Sequence, residues 1–413
     1  MKLKARCCIA GGGPAGMMLG YLLARSGVDT VVLEKHADFL RDFRGDTVHP
    51  STLEVIHELG LLEAFLARPH QKLAQVGGEI GGVPVVMADF SHLPVHCRYI
   101  VFMPQWDFLD FLAQHGRKLP AFRLILQAEA KELIEEGGRI AGVRGTTPDS
   151  PLEVRAQLTV AADGRLSTLR ESAGLEVEDF GAPMDVLWLR LSKRAGDPPT
   201  TLGRINAGRI LVTLDRGDYW QCAYLIAKGG YDALRRDSIE SFRENIVAVA
   251  PILRDRVGEL RDWNDIKLLT VRVNRVRRWH RPGFLCIGDA AHAMSPIGGV
   301  GINLAIQDAV AAANLLAAPL AAGSLTERDL AKVQRRRDFP TRMTQRMQLF
   351  MQKNVIGRVL GGGATPGIAW PIRLMQRFPV LRRIPARIIG MGFRPEHMKT
   401  APAGAAAGSS DRS

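Results

Sequence analysis

Cysteine is scarce in this chain, with five in 413 residues: Cys7, Cys8, Cys97, Cys222 and Cys286. No two form a CxxC pair, and no spacing suggests a metal site. Cys7, Cys8 and Cys286 stand in apolar, strand-like runs, so they read as small core residues of a reducing compartment. Aromatic residues make up only 6% and do not interleave with the basic stretches. With no zinc-finger spacing either, nucleic acid is not an expected partner. No run of about 18–20 uninterrupted apolar residues occurs, so a membrane-spanning helix is not expected. The nearest approach, AVAAANLLAAPLAAG, is short and contains Asn314 and Pro319. The basic start MKLKARCC runs straight into a strand, without the apolar region and cleavage site of a secretory signal. A cytoplasmic location is the expectation.

What the chain does contain is a globular balance of 46% hydrophobic and 23% charged residues, over a length sufficient for two or three domains. Lys and Arg outnumber Asp and Glu by 55 to 42, a formal net charge of +13. Much of that excess lies in QRRRDFPTRMTQR and RLMQRFPVLRRIPARIIG, which suits an anionic substrate or an anionic membrane surface.

The N-terminal stretch KARCCIAGGGPAGMMLGYLLARSGVDTVVLEK holds Gly11-x-Gly13-x-x-Gly16. GxGxxG alone is weak, but its surroundings agree with a nucleotide-binding turn. An apolar strand over Ala5–Ala10 precedes it, Pro14 suits a first helical turn, and DTVVLE forms a second buried strand ending in Glu34 and Lys35. The glycines, with Ala15, let backbone N–H groups approach a pyrophosphate at a helix N-terminus, and Glu34 accepts hydrogen bonds from the adenosine ribose. This unit by itself is compatible with either FAD or NAD.

Two later stretches bear on that choice. LTVAADGRLSTLRESAGL sets Asp163-Gly164 after an apolar strand, and FLCIGDAAHAMSPIGGVGINLAIQDA sets Gly288-Asp289 after another. The order GxGxxG, DG, GD over roughly residues 5–310 resembles the class A flavoprotein monooxygenases, the p-hydroxybenzoate hydroxylase-like family. The resemblance implies FAD, with Asp163 and Gly164 contacting it and Asp289 bonding the ribityl chain. The turn from Pro296 through Gly299, Gly301, Ile302 and Asn303 would then pass the isoalloxazine ring. It also makes Arg44 and Gln105 candidate FAD contacts; a surface ion pair and a helix cap are their plainer readings. Arg165 is a candidate for docking the dinucleotide reductant. Among side chains near the ring, the resemblance singles out Pro296 and His292, although the alanines around His292 suit a packed, hydrogen-bonded residue.

The implied fold is a Rossmann-like α/β FAD-binding domain interleaved with an antiparallel substrate sheet and followed by C-terminal helices. The expected FAD-binding pieces are 1–73, 98–182 and 268–325, and the sheet pieces are 74–97 and 183–267. Residues 239–258 should form an amphipathic helix on the sheet. Residues 326–398 are expected to be helical, and 399–413 to be a disordered tail. Trp188, Trp220 and Tyr224 are candidate substrate residues, but strand alternation allows only some of them to face a pocket.

The resemblance implies a monooxygenase that uses NADH or NADPH and dioxygen through a flavin C4a-hydroperoxide to oxygenate an aromatic or other electron-rich apolar substrate. It requires no metal and no side-chain nucleophile. A flavin-dependent halogenase is disfavoured because WxWxIP is absent. A flavin-dependent reductase or oxidase of a C=C or quinone-like substrate stays open.

Overall fold

The strand Lys2–Ala10 organises the larger sheet because it pairs on both sides. Its residues Cys7–Ala10 are all buried, the continuous apolar run required of a strand covered on both faces. Thr30–Leu33 and Pro151–Ala161 lie parallel to it, Phe122–Ile125 extends the first side, and Phe284–Cys286 extends the second. The strand begins at Lys2 rather than at Ala5, since Lys2 and Lys4 continue the ladder opposite Glu153 and Arg155. Register places Ala10 level with Leu33 and Ala161, and Ala161 level with Cys286. Four strands therefore finish along one edge, where open parallel sheets bind ligands.

The computed structural model describes residues 1–40, 47–198, 202–362 and 367–403. Arg44 lies outside these residues.

A second sheet has seven strands in the order Lys267–Leu269, Met184–Ser192, Tyr219–Ala227, Arg209–Asp215, Leu202–Asn206, Gln75–Ile80 and Val83–Asp89. All its pairs are antiparallel except that of Leu202–Asn206 with Gln75–Ile80. That parallel pair joins two pieces of chain far apart in sequence. The outer face carries Leu187, Leu189, Trp220, Cys222 and Tyr224 against the helix Ile239–Val249. This helix stops short of the expected residue 258 because Pro251 lacks the N–H that would continue it. The inner face carries Val186, Trp188, Ile210, Val212, Ala223 and Leu225, packed with Ile297, Ile356 and Leu360.

The helix Val300–Ala322 rests on the first helix, Pro14–Arg25, and on the helix Glu327–Met351. By length and composition Ile297–Ala322 could cross a membrane, although polar residues interrupt its apolar runs, but 72% of its most apolar window is buried inside the protein. It is a core helix, apolar all round because other elements cover it. Beyond it, Trp370–Arg377 and Arg383–Met391 reach the edge strand Val83–Asp89. The chain then returns to the first helix, where Ala403 N–H donates to Arg25 O and Arg25 Nη1 donates to Thr400 O. Residues 399–403 of the expected tail are thus held in place.

Candidate active site

The sequence motifs meet at the common edge of the parallel strands. At the first, Gly11 has φ of +107°, and a side chain there would come within 2.3 Å of Ala162 O. A Cβ on Gly16 would lie 1.9 Å from Gly11 O, so the spacing of these glycines reflects backbone against backbone. Gly13 differs: no described residue lies within 4 Å of its Cβ position. It begins the helix Pro14–Arg25, and among the described residues no side chain caps that end. The N–H groups of Ala15 and Gly16 are therefore in a first turn suited to a phosphate.

Glu34 follows the second strand and is 8% exposed. Its Oε2 accepts from Gly12 N–H at 2.9 Å and its Oε1 from His36 N–H at 3.0 Å. The carboxylate is fixed at the rim of the glycine turn, while the adjacent Lys35 is exposed.

Asp163 follows the strand Pro151–Ala161. Its Oδ2 accepts from Leu169 N–H at 3.4 Å, whereas Oδ1 is buried without a hydrogen-bond partner among the described residues. Burial pushes its carboxyl above the usual range, and Ser167 and the Leu169 N–H offset this only in part. A buried acceptor without a donor is costly unless a ligand supplies one. Gly164, next along, has nothing within 4 Å of its Cβ position.

Gly288 and Asp289 follow Phe284–Cys286. Arg170 Nη1 donates to Ala290 O at 3.0 Å and its Nη2 to Arg165 O at 3.2 Å, which clasps the DG and GD segments together. Arg165 Nη2 stands 3.7 Å from Asp289 Oδ2, and both side chains remain about one-third exposed.

His292 does not reach the open edge. It is 1% exposed, with Nε2 2.5 Å from Asp308 Oδ2. Asp308 also accepts from Gly288 N–H at 3.1 Å and from Arg337 Nε at 2.9 Å. Burial disfavours its charge, but His292 and Arg337 outweigh that and hold the carboxyl below its usual range. His292 is thus part of the support beneath the GD turn.

The turn after Pro296 comes next. Gly299 has φ of +62°, and its Cβ position is 2.2 Å from Thr47 Oγ1, which donates to Gly299 O at 3.0 Å. Asn303 has its side chain fully engaged by the protein. Its Oδ1 accepts from His49 N–H and Thr52 Oγ1, both at 2.8 Å, and its Nδ2 donates to Thr47 O and Gly299 O. Only its backbone is left for a ligand, together with those of Gly301 and Ile302, in a helix N-terminus that lacks a side-chain cap. Gln105 opens the helix Gln105–Gly116 just after Ile100–Phe102, the strand paired with Thr47–Val48.

The substrate candidates divide. Trp188 lies on the inner face, packed against the same apolar cluster as Ile297. Trp220 and Tyr224 are on the outer face: Trp220 Nε1 donates to Asp197 Oδ2 at 3.0 Å, and Tyr224 meets the Phe242 ring edge-on at 5.2 Å. Both are core residues beneath the helix Ile239–Val249, on the face opposite Trp188.

Sequence reasoning missed three buried glutamines on the helix Glu327–Met351 and its extension. Gln345 Nε2 donates to Asn274 O and Ala293 O, Gln348 Nε2 to Ser295 O and Ile297 O, and Gln352 Nε2 to Ser295 Oγ. Their spacing of three and four residues puts them on one helical stripe, the only signal available.

Open space at Gly13, the partnerless Asp163 Oδ1, the fixed Glu34 carboxylate and two uncapped helix ends fit a flavin dinucleotide along this edge. The profile of the FAD binding domain family matches residues 4–347. The chain is 34% identical over 387 residues to 6-methylpretetramide 4-monooxygenase of Streptomyces rimosus, covering 92% of this chain and 91% of that one. It spans about three-fifths of several longer relatives. Among solved structures, the anhydrotetracycline hydroxylase OxyS of Streptomyces rimosus superposes with a TM-score of 0.73 at 24% identity, over 94% of this chain and 76% of that one. PqsL of Pseudomonas aeruginosa in complex with 2-aminobenzoylacetate gives 0.75 at 21% identity, over 87% and 99%. The chain belongs to this FAD-binding family, that of the class A flavoprotein monooxygenases. It is an FAD-dependent monooxygenase that takes its electrons from NAD(P)H.

Proposed function

We propose that the chain oxygenates an aromatic substrate held between the inner face of the seven-stranded sheet and the turn 296–303. The observation that carries this reading is the apolar wall of Trp188, Val212, Ala223 and Leu225, continuous with Ile297. Such a surface takes up a flat apolar ring and keeps water from the reacting atoms. The relative named for 6-methylpretetramide makes that compound the first to try.

When bound, FAD supplies electron transfer and oxygen activation; the protein supplies position. Gly11, Gly13, Pro14, Ala15 and Gly16 would face the pyrophosphate, and Glu34 the adenosine ribose, with Lys35 beside it. Asp163, Gly164, Gly288 and Asp289 would line the middle of the cofactor, and Gln105 would stand near its flavin half. Pro296, Gly299, Gly301, Ile302 and Asn303 would present backbone to the ring, with the helix N-terminus favouring negative charge there. Arg165, partly exposed beside Asp289, is suited to docking the phosphates of NADH or NADPH. Tyr224, turned to the outer face, takes no proton from the substrate.

In this reading residues 1–73, 98–182 and 268–325 form the flavin domain, 74–97 and 183–267 the substrate domain, and 326–398 the helical support. The protein works in the cytoplasm. The test is to supply purified FAD-loaded protein with NADH or NADPH and a panel of aromatic compounds that includes 6-methylpretetramide. Substrate-stimulated oxidation of the reductant, matched by dioxygen uptake and a product heavier by one oxygen atom, is expected. Turnover that proceeds without dioxygen and adds two hydrogens would replace this reading with the reductase one.

A further inference from the structure

The surface of helix Trp370–Arg377 and the chain after it takes no part in the site above. Trp370, Leu374 and Phe378 recur every four residues and therefore share one side of the helix. They are 74%, 40% and 51% exposed, and Val380 and Ile384, in the turn and the helix that follow, are 57% and 60% exposed. Five large apolar side chains so close in sequence and so exposed are more than scattered surface hydrophobics.

The charge beside the strip has one sign. From Gly367 to Pro395 there are six arginines, at 373, 377, 382, 383, 387 and 394, and no aspartate or glutamate. Arg373, Arg377, Arg383 and Arg387 are exposed. The opposite side is anchored to the protein: Gln376 Nε2 donates to Val86 O at 2.8 Å, and Arg382 donates to Met375 O and to Gln376 Oε1. The segment thus covers the edge strand Val83–Asp89 through Gln376 and, further along, through the apolar Ala386, Ile389 and Met391, and leaves Trp370, Leu374 and Phe378 exposed. Asp89, on that strand, is bonded to Gln75 and Ser91, and Arg383 reaches towards His92.

We propose that this face docks the protein on an anionic lipid surface. Trp370, Leu374, Phe378, Val380 and Ile384 enter the boundary between headgroups and acyl chains, and the arginines lie at the lipid phosphates. Aromatic and aliphatic side chains on one side of a surface helix, flanked by Arg and free of acids, match the chemistry of such a boundary. The long Arg side chains can lay their methylenes along the apolar strip while the guanidinium groups reach the headgroups.

The experiment uses the full-length, FAD-loaded protein and vesicles of phosphatidylcholine with or without a large fraction of phosphatidylglycerol. Sedimentation with the anionic vesicles only, release by high salt, and quenching of tryptophan fluorescence by lipids brominated on the acyl chain are the expected results. Two double variants, Trp370→Ala with Phe378→Ala and Arg373→Glu with Arg377→Glu, should each weaken binding by about tenfold or more. Both should keep their FAD and their rate of NAD(P)H oxidation in solution, which separates lost docking from misfolding. Absence of vesicle binding, equal binding to neutral vesicles, or unchanged binding by both variants would overturn the proposal. So would a dimer without vesicle binding that the Trp370→Ala, Phe378→Ala variant splits, since the face would then join two copies of this chain.

Discussion

Asp163 and Asp289 stand after neighbouring strands but are held differently. Among the described residues, Asp163 accepts from the Leu169 N–H and keeps one oxygen unpartnered, whereas Asp289 meets only Arg165 and stays partly exposed. Asp289→Ala should weaken FAD binding by about tenfold to a hundredfold, the scale of one charge-assisted hydrogen bond of about 1.5–3 kcal/mol. Glu34→Ala should cost more, because the same carboxylate also holds the Gly12 and His36 N–H groups. Fluorescence titration with FAD checks both, and equal affinities for the two variants would refute the ranking. In the substrate sheet, Trp188→Ala should raise KM for the aromatic substrate about tenfold, on the scale of a buried aromatic contact, with FAD content unchanged. Tyr224→Phe should leave KM where it was. The glycine spacing was legible because backbone sterics dictate it. The orientation of Tyr224 was not, since alternation tells which residues share a face but not which face meets the flavin.

At the scale of elements, the turn 296–303 is held from behind by a polar face of the helix Glu327–Met351. Gln345, Gln348 and Arg337 lie in the run QRRRDFPTRMTQRMQLF, whose basic charge does not announce a buried stripe. They are buried because loop carbonyls and Asp308, not apolar side chains, are what they cover. No periodicity of hydrophobic residues could have announced this. Asp308 is the hub, joined to His292, Gly288 and Arg337, and Arg337 Nη1 also lies 3.4 Å from Glu396 Oε1. Asp308→Ala should destabilise the protein by about 3–5 kcal/mol, because it removes the buried carboxylate that pairs with both Arg337 and His292. Urea unfolding followed by flavin fluorescence measures this, and a loss below about 1 kcal/mol would mean that the network contributes little.

Across the whole molecule, His49 joins pieces that sequence order keeps apart. Its N–H donates to Asn303 Oδ1 and its Nδ1 is 2.7 Å from Ile389 O, while Nε2 is buried without a partner among the described residues. Burial lowers its pKa to about 4, against the Ile389 contact, which raises it. The unfolded chain takes up this proton near pH 6.5, so between about 6.5 and 4 the unfolded state binds more protons than the folded one. The stability contributed by neutral His49 is therefore complete above about pH 6.5 and is lost as pH falls towards 4. His49→Gln should reduce the slope of stability against pH in that window by about 1.4 kcal/mol per unit. Urea titrations from pH 4 to 7 test this, and parallel curves for the two proteins would assign the acid sensitivity elsewhere. The interleaving of the two domains was legible from the order of the three motifs. The single parallel pair in the second sheet was not, because nothing local records which distant edges will meet.

That interleaving bears on how the protein is made. The edge that receives the nucleotide is complete only when Phe284–Cys286 lies down beside Pro151–Ala161, so a ribosome must deliver more than two-thirds of the 413 residues first. Until then the early glycine turn has no finished floor, and pairings this distant close slowly. Capture of the nucleotide therefore has to wait until most of the polypeptide has emerged and the last strand has paired.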